Sequence, residues 1–113
     1  LTPSGRSKLK LIQAVVDSDA LHLVQQELNR VEVFRLTVSD IQVYERGDGP
    51  GMTFDSRPGM RLEIAVNENF VRPTLEALYR ALEGDEKDRS RIYVLPLKDA
   101  IRIRTGERGP EAI

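Results

Sequence analysis

Arg102 and Arg104 stand two residues apart near the end of the chain, inside the run Ile101, Arg102, Ile103, Arg104, Thr105, Gly106, Glu107. On an extended segment that spacing puts both guanidinium groups on one side, where they form a fork for phosphate oxygens. Gly106 follows at once and marks a turn. Arginine pairs on strands are more often solvated or matched by carboxylates than bound to a ligand, so spacing alone leaves both readings open. Other chemistry is more restricted. With no Cys there are no disulfides, thiolate metal sites or thiol nucleophiles. His22 is the sole imidazole, so a His-rich metal site cannot be assembled within one chain, and no metal site is expected. On its helix, His22 reads as a surface residue.

The elements that position the arginines follow from periodicity. At 113 residues the chain is long enough to bury one core. Residues 1–7 hold Pro, Gly and Ser and read as a frayed lead-in, which leaves 8–113 as one domain. The chain opens on Leu1 rather than Met, which leaves room for residues upstream. Lys8 to Val16 reads as a buried strand. Ser18 and Asp19 supply an N-cap for a helix from about Ala20 to Arg30, with Leu21, Val24 and Leu28 at helical spacing. Arg35 to Arg46 returns to strand chemistry. Its alternation slips at Ser39 and Asp40, which predicts a bulge or bend. Gly47 to Gly59 is rich in Gly and Pro and reads as a flexible loop. Met60 to Val66 alternates, with Arg61, Glu63 and Ala65 facing away from Leu62 and Ile64.

Asn67 or Asn69 is expected to cap a second helix that tolerates Pro73 in its first turn and buries Val71, Leu75, Leu78 and Leu82. Gly84 ends it, 85–90 forms a charged loop, and Arg91 to Leu95 is the last core strand. The order βαββαβ is the ferredoxin-like split motif, an α+β two-layer sandwich. Seventeen basic residues against eighteen acidic give a net charge of −1, so no overall field draws the chain to nucleic acid or an anionic membrane. No apolar run approaches the roughly 20 residues that span a bilayer, and no signal peptide appears, so membrane insertion is not expected and a cytoplasmic location is.

The run Ile101 to Glu107 resembles the C-terminus of the PII nitrogen-regulatory signalling family. Thr37-containing 36–41, 61–66 and 91–94 are similar to that family's second, third and fourth strands. The resemblance implies a compact homotrimer with ATP, ADP or AMP in clefts between subunits, and a projecting T-loop that contacts a target transporter or metabolic enzyme. It implies phosphate contacts for Arg102 and Arg104. It also matches Arg91 to the cation of the B-loop before the fourth strand, Arg46 to an arginine at the T-loop base, and Thr37 and Glu63 to positions near the adenine.

The two loops depart from the family pattern. Asp88, Arg89, Ser90 and Arg91 stand where the family has a Gly-Asp-Gly-Lys/Arg run, so side chains replace the glycines whose amides would approach phosphate. Asp85, Glu86 and Asp88 add charge of the wrong sign there. The T-loop is shorter and has no Tyr, which removes uridylylation at the usual place. Gly47 replaces a Gln, Gly59 replaces a lysine after Pro58, and Val43 and Glu45 replace glycines. Sensing of 2-oxoglutarate by the usual route is therefore not expected. Tyr44, on the second strand, is most simply a packing residue. Loop 46–59, with Gly47, Met52, Phe54 and Gly59, is the candidate docking element, and folding of Met52 and Phe54 onto their own subunit is the equal alternative.

Three functions stay open. The chain is a PII-type regulator that senses an adenylate-type ligand and controls a transporter or enzyme of nitrogen or related metabolism. Alternatively it is a trimeric interaction module without nucleotide. A remote third is an acylphosphatase-like hydrolase, which needs an Arg in an anion-binding loop near an Asn. The loop Asp17, Ser18, Asp19 has no Arg, and no enzymatic role is expected.

Overall fold

Alternating apolar residues build a four-stranded antiparallel sheet in the computed structural model, which describes residues 8–51 and 53–113. The strands are β1 (Leu9–Val16), β2 (Thr37–Arg46), β3 (Phe54–Asn67) and β4 (Arg91–Leu97), and the helices are α1 (Leu21–Arg30) and α2 (Val71–Leu82). Sheet order is β2-β3-β1-β4. The expected βαββαβ order is present. The expected lead-in 1–7 lies outside the described residues.

Period two sorts the sheet into faces. Ile12, Ala14 and Val16 of β1 pair with Ile64, Leu62 and Met60 of β3, and this row packs under the helices. Val24 and Leu28 of α1, and Ala77, Leu78 and Ala81 of α2, close the core from above. Leu78 is completely buried. The helices are tied across their outer surface by Arg80, whose Nε donates to Glu27 at 3.0 Å. Arg61, Glu63 and Ala65 lie on the opposite, open face, as their alternation predicts.

Several expectations need correction. Neither helix is capped by a side chain. Ser18 and Asp19 belong to a 3-10 turn, Ser18–Ala20, closed by the Ala20 amide on the Asp17 carbonyl at 3.0 Å. Glu68–Phe70 forms the equivalent turn before α2, and neither Asn67 nor Asn69 caps the helix. A 3-10 entry satisfies the first amides with backbone, which leaves the side chains no role there.

No bulge interrupts β2. Its register with β3 is continuous from Thr37 opposite Glu63 to Arg46 opposite Phe54. The slip in alternation is a change of face: Leu36 packs against the core under the helices and Val38 faces Leu62 there, whereas Ile41 and Val43 turn to the open face. Past the Val16–Met60 pair β1 ends, and β2 and β3 run on as a two-stranded ribbon. Helices no longer cover that ribbon, so the core pattern lapses. Residues 54–59 are accordingly strand and not loop, and the tip shrinks to 47–53. Tyr44 is 66% exposed on this ribbon instead of packed.

Candidate functional site

Across the open face the register fixes what can meet. Thr37 lies directly opposite Glu63, and Glu63 is 3.9 Å from Arg61 through its Oε1. Glu63 faces Gln13 on β1, which faces Tyr93 on β4. In the next row Arg61 faces Val15, which faces Arg91. Thr37 and Arg91 thus sit on the two outer strands, which run about 14 Å apart at ordinary strand spacing, and in different rows. The structure brings Thr37 and Glu63 together and keeps Arg91 away from them.

Arg102 lies at a cleft that neighbours the Thr37–Glu63 pair but includes neither residue. With Glu32, Val33, Phe34, Arg35, Ala65 and Asn67 it lines that cleft, of about 440 Å³, also edged by Phe70 and Ile113. Ala65 is two residues beyond Glu63 on the same strand face. Arg35 is therefore a second cation beside Arg102, which sequence reasoning missed, and Phe34 is 76% exposed at the same place. The signal was an exposed aromatic next to an Arg just outside a strand, which by itself resembles any loop.

Arg102 and Arg104 do not lie on an extended segment. Ile101 makes a single bridge with Arg108, and 103–105 turn between them. The Arg102 amide donates to the Glu107 carbonyl at 2.8 Å, and the Gly106 amide donates to the Arg102 carbonyl at 2.8 Å. Gly106 has φ +75°, so the expected Gly turn is present but reaches back over the arginines. The guanidinium group of Arg102 is 3.5 Å from Glu107, and among the described residues Arg104 has no hydrogen-bond or ion-pair partner. This segment runs past the end of β4, and among the described residues its strand-type pairing is limited to the Ile101–Arg108 bridge.

Arg91 is held by its own loop. One guanidinium nitrogen donates to the Asp88 carbonyl and carboxylate at 3.2 Å each and to the Ser90 carbonyl at 2.9 Å. Asp88 takes φ +53°, and the Ser90 amide donates to the Asp85 carboxylate at 2.7 Å. An internal carboxylate thus already occupies a backbone amide of this loop.

Arg46 and Phe54 face each other at the far end of the ribbon, about 30 Å from Thr37 at strand rise. Phe54 is 68% exposed and does not fold back on its own subunit. Met52 lies outside the described residues. Gly47 opens the tip, with its amide on the Thr53 carbonyl at 3.0 Å. Gly59 is buried within β3 opposite Ile41 and is no part of a docking loop. A Cβ there would meet Val43 at 3.2 Å and the Val16 carbonyl at 3.3 Å.

A further ion-pair chain, also missed, braces the ribbon root. Arg57 is 3.0 Å from Glu45 and 3.9 Å from Asp17, and Asp17 is 3.6 Å from Arg89. Arg57 was hidden in the sequence because it sits in a stretch that reads as loop. His22 is exposed, as expected. Among the described residues no group of three or more His, Asp or Glu could hold a metal ion, and no helix is long and apolar enough to cross a membrane.

Two carboxyls are held below the ordinary range of about 3.8, Asp85 by the Ser90 amide and Asp99 by Arg108. A depressed folded-state pKa contributes stability above the unfolded value that is lost as pH falls through the folded one. The urea midpoint is thus expected to show no loss from these two groups between pH 8 and 5 and a fall below about pH 4. Asp85→Asn or Asp99→Asn should make that acid limb shallower, and an unchanged limb in both variants would remove these carboxyls as its cause.

The sequence model described as nitrogen regulatory protein P-II matches residues 9–107. The chain is 39% identical to nitrogen regulatory protein GlnK1 of Methanosarcina mazei, over 93% of this chain and 97% of that protein. It is 32% identical to nitrogen regulatory protein P-II 1 of Methanothermobacter thermautotrophicus, with the same shares covered. Among solved structures, it is similar to a B. subtilis GlnK-ATP complex with a TM-score of 0.85 and 25% identity, over 95% of this chain and 97% of that one. It is similar as well to Arabidopsis thaliana PII bound to citrate, with a TM-score of 0.78 and 29% identity over 97% and 96% of the two chains.

Proposed function

Because this chain belongs to the P-II family of nitrogen regulatory proteins, which are signal-transducing regulators and not enzymes, we propose that it binds an adenylate nucleotide between protomers of a homotrimer. In that state it regulates a transporter or enzyme of nitrogen metabolism by contact. Residues 8–113 act as one PII-like domain in this reading, and the protein works in the cytoplasm, the compartment that holds adenylate pools.

The observation that carries the reading is the division of the site. Thr37 pairs with Glu63 on β2 and β3, and Arg102 lines the adjoining cleft with Arg35 and Ala65, whereas Arg91 lies on the outer strand at the other edge. One protomer supplies a cleft with cations on one side, and a second supplies Arg89 and Arg91 for the phosphates. Symmetric assembly would bring the two edges together. The ATP held by the related B. subtilis GlnK supports an adenylate ligand here. The exposed ribbon with Arg46, Gly47 and Phe54 is the contact element for the target.

One observation supports a second reading, a trimeric module that has given up nucleotide. Asp85 already takes the Ser90 amide, and Asp88 already holds Arg91. A nucleotide must displace both.

Calorimetric titration with ATP, ADP and AMP, with and without Mg²⁺, separates the two. Saturable binding with Kd below about 1 mM, equivalent to roughly −4 kcal/mol, is expected. Flat titrations together with a trimer by light scattering would leave only the interaction module. A monomer would defeat both readings.

A further inference from the structure

The segment carrying Arg102 and Arg104 is a loop with almost no core contact: Ile103, between them, is 91% exposed. Its shape has to come from polar closure, and at the neck that closure converges on one residue. Asp99 Oδ1 accepts the Ala100 amide at 2.8 Å and the Gly109 amide at 3.3 Å. Its Oδ2 accepts Arg108 Nε at 2.9 Å and, in addition, Arg108 Nη2. A single carboxylate therefore binds both ends of the loop and the side chain that enters its far end. Beyond it, the neck retains the Gly109 amide on the Ala100 carbonyl at 3.0 Å and the Ile101–Arg108 bridge.

We propose that Asp99 is the positioning residue of the anion site: by closing the neck of loop 100–109 it holds Arg102 at the cleft edge, and Arg104 in the same turn, before any ligand arrives. The proposal rests on the nucleotide reading above. Its physical content is pre-organisation. A loop already fixed does not have to be ordered by the ligand, and the ordering cost is removed from binding. Arg108 keeps the Asp99 carboxyl ionised well below neutral pH, so the clamp is permanent under cellular conditions and is not a pH switch. Asp99 touches no ligand in this scheme.

The test uses the full chain with ATP as probe, in four forms: wild type, Asp99→Asn, Arg102→Ala and the double variant. Asp99→Asn keeps shape and removes charge, and is expected to weaken ATP by about tenfold, the equivalent of one 1.4 kcal/mol step. In that background Arg102→Ala should cost less than it does alone, because a misplaced arginine has less to lose. Amide exchange at Gly106 should quicken in Asp99→Asn, and Asp99→Glu should recover part of both properties. A purely structural residue would lower affinity additively with Arg102→Ala. Additive losses, or wild-type affinity and wild-type exchange in Asp99→Asn, overturn the proposal while the nucleotide reading stands. Absence of ATP binding in the wild type defeats the nucleotide reading and removes the site that Asp99 is said to position.

Discussion

Arg102→Ala weakens ATP by about 10- to 100-fold, and Arg104→Ala by a similar factor, if each guanidinium meets a phosphate oxygen. A hydrogen bond to a charged group contributes about 1.5–3 kcal/mol, and each 1.4 kcal/mol is tenfold. Two features set where in that range each variant falls. Arg102 must leave Glu107, 3.5 Å away, which costs little because both groups are half-exposed. Arg104 has no partner to leave among the described residues. Arg104→Lys retains the charge and loses the planar fork, so its affinity should lie between wild type and alanine. Arg30→Ala, at the exposed end of α1, is the control and should bind as wild type. Calorimetry at two salt concentrations checks the assignment, since a charge-dominated contact weakens with screening. Wild-type affinity in both alanine variants would place the nucleotide elsewhere.

The second large effect concerns the core. Leu78 is fully buried in α2 over the β1–β3 row, so Leu78→Ala leaves a cavity as well as losing transfer energy, and should cost about 3 kcal/mol. Against a total of roughly 5–15 kcal/mol this is a large fraction of the fold's stability. Urea unfolding at one fixed protein concentration reads it, because assembly would otherwise contribute by mass action. Leu23, on the other side of α1 and 50% exposed, provides the comparison: Leu23→Ala should stay within about 0.5 kcal/mol. A loss at Leu78 no larger than at Leu23 would mean that the core is organised differently.

The parts of the fold legible in the sequence were those under the helices. Ile12, Ala14, Val16, Leu62 and Ile64 alternate because one sheet face is covered, and Val24, Leu28 and Leu78 repeat at helical spacing because they do the covering. Where coverage stops, the code stops. Residues 54–59 pair regularly with 41–46 beyond the cover of the helices, so no core-facing alternation shapes their sequence and Gly and Pro there imitate a loop. Caps failed for a different reason: backbone 3-10 turns did the work assigned to Ser18, Asp19 and Asn67. At the candidate site, Thr37 and Glu63 could be placed together from strand pairing. The fold of 101–108 could not, since it depends on Asp99 meeting Arg108 across nine residues, and that spacing has no periodic signature.

The unbroken pairing of β2 with β3 out to Arg46 and Phe54 makes the outward arm a spar and not a tether. A spar measures length. Its tip arrives at one distance beyond the end of β1, and a partner has to offer its contact at that distance. Removing two residues from each strand would preserve which side chains share a face and draw the tip in by about 7 Å. A target fitted to the full arm would then stand beyond reach, with every surface group of the arm still correctly turned toward it.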